Sequence, residues 1–203
     1  MNHPTIRTIS GASAPVSIDA ARTALLVIDF QNEYFDGRLP IPDGAAALAN
    51  ARRLVAFADR NRMPVFHIQH VGPAGALLFA ADGEMVDLHA DLQPGAGHSL
   101  LRKSSVSTFA STDLDARLKA AGIATLIIGG LMTHACVAGA ARDAVPLGYA
   151  VIVADDACAT RALDGGDGEP VPHRMLHRAA LASIADTFGD VMATDAILAL
   201  PLA

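Results

Sequence analysis

Three residues of this chain, Asp29, Lys103 and Cys136, are of types that together can open an amide-like bond. A thiol needs a base to take its proton, and a carboxylate within hydrogen-bond reach can do so. A lysine beside both holds the carboxylate ionised and favours the thiolate. Cys136 is the most telling of the three. It follows the apolar run Ala124-Thr-Leu-Ile-Ile-Gly-Gly130 and the linker Leu131-Met-Thr-His-Ala135, and it opens a helical stretch from Val137 to Leu147. At such a strand-to-helix turn the free N–H groups and the positive dipole end favour a thiolate. The same turn presents N–H donors to an oxyanion, and Gly129-Gly130 before it permits tight backbone geometry. Each residue also has a plain reading. A lone cysteine packs as a small hydrophobe, a strand-end carboxylate caps or pairs, and a lysine is solvated.

The elements that must position these residues alternate between strand and helix. Ala24-Leu-Leu-Val-Ile28 reads as a strand buried on both faces. A helix is expected from Gly44 to Arg62, with Leu48, Ala51, Val55 and Ala58 at helical spacing and Asp43 as its cap. Further strands are expected over Pro64–Gln69, Ser99–Lys103, Ala124–Gly129, Ala150–Ala154 and Asp190–Ala193. Ser111 or Thr112 can cap a helix carrying Leu114 and Leu118, which Gly122 ends. A helix from Pro172 to Phe188 carries Leu176, Ala180 and Ile184, and Thr194 can cap a last helical turn. This alternation predicts one domain over residues 1–203. The expected fold is α/β, a three-layer α/β/α sandwich on a mostly parallel, Rossmann-like sheet of about six strands. Ligands of such sheets bind beyond the carboxyl ends of the strands, where strand order reverses. Asp29, Gln69 with His70, Lys103 and the turn to Cys136 all fall at those ends. Two irregular segments, Val71 to Gly97 and Arg161 to Pro172, are long enough to serve as lids, interfaces or binding loops.

The bulk properties narrow the function classes. Of 203 residues, 52% are apolar and 18% charged, enough for a sizeable core. A formal charge of −6 argues against nucleic-acid binding. No apolar run approaches the roughly 18 residues that span a bilayer, so no membrane contact is expected. Met1-Asn-His-Pro-Thr-Ile-Arg7 lacks the apolar segment of a signal peptide. Cys136 and Cys158 are the only cysteines, too few for a disulfide scaffold, which predicts a cytoplasmic setting.

The motifs resemble those of the isochorismatase-like cysteine hydrolases. Leu26-Val-Ile-Asp-Phe-Gln-Asn32 is similar to the family's first-strand motif, Lys103-Ser-Ser-Val-Ser-Thr-Phe109 to its K-x-x-x-S-x-F element, and Gly130-Leu-Met-Thr-His-Ala-Cys-Val137 to its nucleophile motif. Ala141-Arg-Asp-Ala144 and Asp155-Asp-Ala157 match two further landmarks, so the likeness runs from Thr23 to Phe188. The resemblance implies that Cys136 is the nucleophile, Asp29 the general base and Lys103 the third catalytic member. It implies a cis peptide at Leu131–Met132, which would aim the Met132 amide, with that of Cys136, at an oxyanion. It also implies a homo-oligomer, at least a dimer. The family typically has Thr where this chain has Ala140, a position that reads as helix packing.

Nicotinamidases of that family carry a metal-binding Asp-x-His after the second strand. Here the stretch is His67-Ile-Gln-His-Val-Gly-Pro73, without a carboxylate, and His67 and His70 alternate faces. His173 and His177 stand at a spacing that can bind zinc, but no Glu completes an H-E-x-x-H pattern. No glycine-rich phosphate loop is present. No metal and no cofactor are therefore expected, and Cys158 reads as structural. The expected substrate is a small molecule, held by Phe30, Phe35, Gln69, His70, Phe109, Leu131 and His134. The leading reading is cleavage of an amide or related C–N bond through an acyl-enzyme. Vinyl-ether cleavage of the isochorismatase type is the alternative, and a non-catalytic binding or scaffold protein on the same fold is a reading of another class.

Overall fold

The first strand shows how the layers arise. In β1 (Thr23–Ile28) successive side chains point to opposite faces. Leu25 and Val27 enter one core cluster, with Leu54 and Phe57, while Leu26 and Ile28 enter a second, with Leu114, Val137 and Ile184. A strand buried on both faces must lie between two helical layers. The computed structural model describes residues 3–203, so Met1 and Asn2 of the N-terminal stretch lie outside the described residues. A short α1 (Ile6–Ile9) precedes β1. Then follow α2 (Gly44–Arg60), β2 (Val65–His70), β3 (Ser99–Lys103), α3 (Leu114–Ala120), β4 (Thr125–Leu131), α4 (Ala138–Ala144) and β5 (Ala150–Ala159). A two-stranded antiparallel hairpin, β6 (Leu163–Asp164) and β7 (Pro170–Val171), leads into α5 (His173–Thr187), β8 (Asp190–Met192) and α6 (Thr194–Leu198).

The sheet has six strands in the order β3-β2-β1-β4-β5-β8, all parallel. The chain builds outward from β1 to β2 and β3, then returns to the other side of β1 with β4. The switch point therefore falls between β1 and β4, where a crevice opens at the carboxyl edge. Asp29 ends β1, and Cys136 follows β4.

Several boundaries differ from the sequence reading, each for a local reason. β5 runs on to Ala159 because it bulges: Ile128 pairs with Val153, but Gly130 pairs with Cys158. Asp155 and Asp156 lie inside that irregularity and read as a strand end in the sequence. Asp43 stands at the start of α2 but makes no side-chain cap bond; its carboxylate instead faces His173 Nε2 at 3.2 Å. Thr194 is the first residue of α6 rather than its cap. Its N–H and hydroxyl both donate to Asp156 Oδ1, at 2.8 and 2.6 Å, so the capping carboxylate comes from β5. The helix expected from Val137 to Leu147 is shorter, and a π-helical turn, Thr133–Val137, comes before it. Ala140 is fully buried, as packing requires.

Gly130 marks the closest approach at the crevice. A Cβ there would meet Ile28 Cβ at 2.6 Å and Ile28 O at 2.7 Å. Gly130→Ala is expected to cost about 2 kcal/mol by overpacking. For a domain of this size that is a fall of roughly 4–8 °C in Tm, which thermal unfolding followed by circular dichroism will check.

Candidate active site

Lys103, the last residue of β3, is a fully buried ammonium. Its Nζ lies 2.8 Å from Asp29 Oδ2 and 3.3 Å from Cys136 Sγ. It also donates to Ser105 O at 3.1 Å and meets His70 Nδ1 at 3.1 Å. Four acceptors thus surround three N–H bonds, and the amine is held between carboxylate and thiol. The three chemistry-bearing residues read from the sequence therefore meet at one point, from β1, β3 and the turn after β4.

Backbone geometry sets each of them. Asp29 has φ 54°, the left-handed region that Asp tolerates better than most residues. Its N–H still donates to Ile68 O at 2.9 Å, so the strand ladder holds up to the residue that departs from it. Cys136 lies in the π-helical turn, where the Met132 carbonyl accepts from Ala135 at 3.0 Å and Val137 at 3.3 Å. Such turns recur at functional sites. The Leu131–Met132 peptide is cis. His70 is clamped by the buried Gln31, whose Oε1 accepts from His70 N–H and whose Nε2 donates to His70 O, both at 2.8 Å. The same Nε2 donates to Val86 O, tying in the 71–97 loop.

Electrostatics correct one expectation. Burial pushes the Cys136 thiol up to about 12, the Asp29 charge adds to this, and Lys103 opposes it. That direction runs against the thiolate expected from its place near a helix start. Burial also raises the Asp29 carboxyl, against the pull of Lys103. Oδ1 of Asp29 is fully enclosed and lacks a well-formed hydrogen bond among the described residues. That oxygen is free to take a proton. His70 is held neutral by burial and by the Lys103 charge. With Nδ1 accepting from the ammonium, its proton sits on Nε2.

The residues expected to line the pocket divide. His70 stands against Lys103. Met132 and His134 belong to the nucleophile turn, and His134 Nδ1 shares a 2.6 Å hydrogen bond with Thr160. Gln69 points to the other face, where it donates to Val86 O at 3.0 Å and accepts from Arg102 at 3.2 Å. Phe30 and Leu131 are fully buried in the core on the α2 side. Phe35 packs on His89, and Phe109 stacks on Tyr149 against the other core. Phe109 packs against the same cluster that holds Cys136. The wall near the thiol comes from residues the sequence reading passed over. Tyr34 packs edge-on against Phe79, and Phe79 against His70, with ring centroids 5.3 and 5.1 Å apart. Arg161, just beyond β5, acts on the ionisation of both Tyr34 and His134. Tyr34 and Phe79 looked like ordinary core aromatics. Only Arg161, a cation after a strand end, carried a signal that could have been read.

Among the described residues no group of three or more His, Cys, Asp or Glu is placed to hold a metal ion. His67 pairs with His98, at 3.2 Å, away from His70. His177 bonds Thr133 at 2.8 Å, and with His173 it borders a cleft of about 250 Å³ behind the nucleophile turn. Cys158 is buried in the same cleft, its thiol raised to about 12 by burial. No described helix is long and apolar enough to cross a membrane.

The fold is a doubly wound parallel α/β sheet with the three residues at its switch point. The model of the isochorismatase domain matches residues 23–196, and the chain belongs to the isochorismatase family. It is 35% identical over 178 residues to the uncharacterized isochorismatase family protein YddQ of Bacillus subtilis, covering 87% of this chain and 98% of that one. It is 35% identical over 165 residues to a streptothricin hydrolase of Streptomyces noursei, covering 80% of this chain and 59% of that one. The crystal structure of an isochorismatase from Pseudomonas putida superposes with a TM-score of 0.90 at 30% identity, covering 97% of this chain and all of that one.

The protonated thiol has a measurable consequence. Alkylation of Cys136 by iodoacetamide should keep rising with pH to pH 10 and beyond. Asp29→Asn removes a charge that raises the thiol, so it should speed alkylation at pH 8.5 by at least ~3-fold. A rate that levels off near pH 7 would mean a resting thiolate.

Proposed function

We propose that the protein is a cofactor-free cysteine hydrolase that cuts an amide or related C–N bond of a small molecule through a covalent acyl-enzyme. The observation that carries this reading is the buried Lys103 Nζ, 2.8 Å from Asp29 Oδ2 and 3.3 Å from Cys136 Sγ. Asp29 accepts the Cys136 proton as Sγ adds to the substrate carbonyl carbon. The N–H groups of Met132 and Cys136 receive the oxyanion. Asp29 returns the proton to the nitrogen as the C–N bond breaks, which leaves a thioester and a free amine. Water then attacks the thioester with Asp29 again as base, and the acid leaves with Cys136 restored as a thiol. Throughout, Lys103 balances whichever of its two neighbours carries negative charge. The thiol's high proton affinity makes this transfer part of the attack itself, so no thiolate has to wait in the buried site. His70 and His134 flank the reacting carbonyl.

Vinyl-ether cleavage would need Asp29 and Lys103 but no thiol, so the thiol is the point to test. Cys136→Ala and Cys136→Ser should each lose turnover by ~10³-fold or more, and Asp29→Asn by ~10²–10⁴-fold. Cys158→Ser should keep wild-type rates. The assay is steady-state hydrolysis of a panel of small amides, carbamoyl compounds and ureido acids, with circular dichroism as the folding control. Wild-type turnover by folded Cys136→Ala would give the vinyl-ether reading its place.

A homo-oligomer belongs to the same proposal. Leu77 on the 71–97 loop and Met175 on α5 are exposed apolar side chains, at 75% and 62%. Light scattering at micromolar concentration should give at least twice the 20.9 kDa chain mass, and a monomer would end this part of the reading.

A further inference from the structure

Glu33 is a buried carboxylate that the proposed reaction does not use. It is only 2% exposed, and none of the ion pairs among the described residues includes it. Backbone N–H groups satisfy it instead. Its Oε1 accepts from Arg38 N–H at 2.6 Å, and its Oε2 accepts from Phe79 N–H at 3.5 Å, a long bond. Gly37 closes over it, where a Cβ would meet Oε1 at 2.7 Å. A buried carboxylate is tolerated only when it is hydrogen-bonded. This one is, and it thereby ties the segment after β1, residues 33–38, to the 71–97 loop at Phe79.

Phe79 is the strained point of that loop. Its φ is 52°, in the left-handed region that a bulky side chain rarely adopts. Such a conformation persists only where the surroundings over-determine it. Here the N–H meets Glu33, the carbonyl accepts from Gly72 N–H at 2.8 Å, and the ring is wedged edge-on between Tyr34 and His70. Leu77 and Leu78 just before it are exposed, so burial is particular to Phe79 and not to the segment. The ring stands over the reacting atoms. On one side of it His70 meets Lys103 Nζ. On the other, Tyr34 lies close enough to Asp29 and Cys136 for their charges to act on its hydroxyl. Cys136 is itself only 6% exposed, so little room is left beside it.

We propose that Phe79 is a specificity-determining residue, a fixed ring that limits the width of the group a substrate carries beside the scissile carbonyl, and that Glu33 is the positioning residue that holds it there. The substrate class is then narrow C–N compounds, unbranched and without an aryl group next to that carbonyl. The proposal rests on the cysteine-hydrolase reading only in taking Cys136 as the atom a substrate must reach. A close-packed wall yields little to a wider group. Displacing this one would break the contacts with Tyr34 and His70 together with the bond to Glu33.

The test needs no knowledge of the substrate. Iodoacetamide and its N-phenyl derivative share a reactive carbon and differ by one ring in width. In both, sulfur bonds to the CH2 carbon as iodide leaves, and the thiol proton passes to solvent. In Cys158→Ser protein, Cys136 is the sole thiol. Each rate is divided by that of the same reagent with free N-acetylcysteine. At pH 8.5 the N-phenyl reagent should then react with this parent at least ~10-fold more slowly than iodoacetamide. Phe79→Ala should bring the two within ~2-fold of each other by raising the N-phenyl rate while the iodoacetamide rate stays near the parent's. Glu33→Gln, which keeps an oxygen for one of the two N–H groups, should close the gap ~3-fold, and Glu33→Ala should close it further. A loosened fold would instead raise both rates toward those of a free thiol, so the two reagents together separate a specificity role from a structural one. An unchanged ratio in folded Phe79→Ala would overturn the proposal, and so would equal rise of both rates, or a parent that takes both reagents alike. An unchanged ratio in both Glu33 variants would remove Glu33 from it. If Phe79→Ala does not fold by circular dichroism, Phe79→Leu and the parent rates decide the matter. These readings are independent of turnover. Width selection without hydrolysis would sink the hydrolase reading alone, and hydrolysis without the selection would sink only this one.

Discussion

The Asp29–Lys103 ion pair is the constraint on which the site depends. Both side chains are fully withdrawn from water. Burying two charges costs several kcal/mol per ion, and their attraction repays this only when the geometry is close and the remaining donors are satisfied. Lys103 meets that condition through His70, Ser105 and Cys136. The pair therefore fixes more than itself. It needs the ends of β1, β2 and β3 in register, and Ile28 pairs with Ile68, and His70 with Lys103, in the parallel ladder. It needs His70 held with its Nδ1 toward the amine, which the Gln31 clamp on the His70 backbone provides. Gln31 also holds Val86, so the 71–97 loop answers to the same network.

That pair also decides the state of the thiol. A cysteine beside an imidazolium would be drawn toward the thiolate. Here the nearest positive charge is already shared with a carboxylate, and burial dominates. The result is a thiol whose proton is held more firmly than that of a free cysteine.

The residues that meet at Lys103 and the side chains around them come from different parts of the fold. Asp29, Lys103 and Cys136 stand on or just beyond sheet strands, which hold positions tightly. Tyr34, Phe79 and Arg161 stand on the connections after β1, β2 and β5, which vary more readily between relatives.

What the sequence determined by itself was whatever short-range pattern controls. Continuous apolar runs gave the strands of the sheet's interior, since a strand buried on both faces has no polar side to show. The order of strands and helices gave a parallel sheet, because parallel neighbours need a crossover. The motifs around Asp29, Lys103 and Cys136 gave the candidate reacting residues. The tertiary structure decided whatever depends on which way a side chain faces and what surrounds it. Gln69 and His70 are neighbours in sequence, yet strand alternation sends one away from the thiol and the other onto Lys103. Phe30 has the character of a pocket lining but is buried in the core on the α2 side. Asp156, a motif landmark in the sequence, proves to cap α6 from the irregular part of β5. Burial pushes the Cys136 thiol up, against the pull that its place near a helix start suggested, because desolvation is a property of the enclosing atoms and not of the residue's place along the chain.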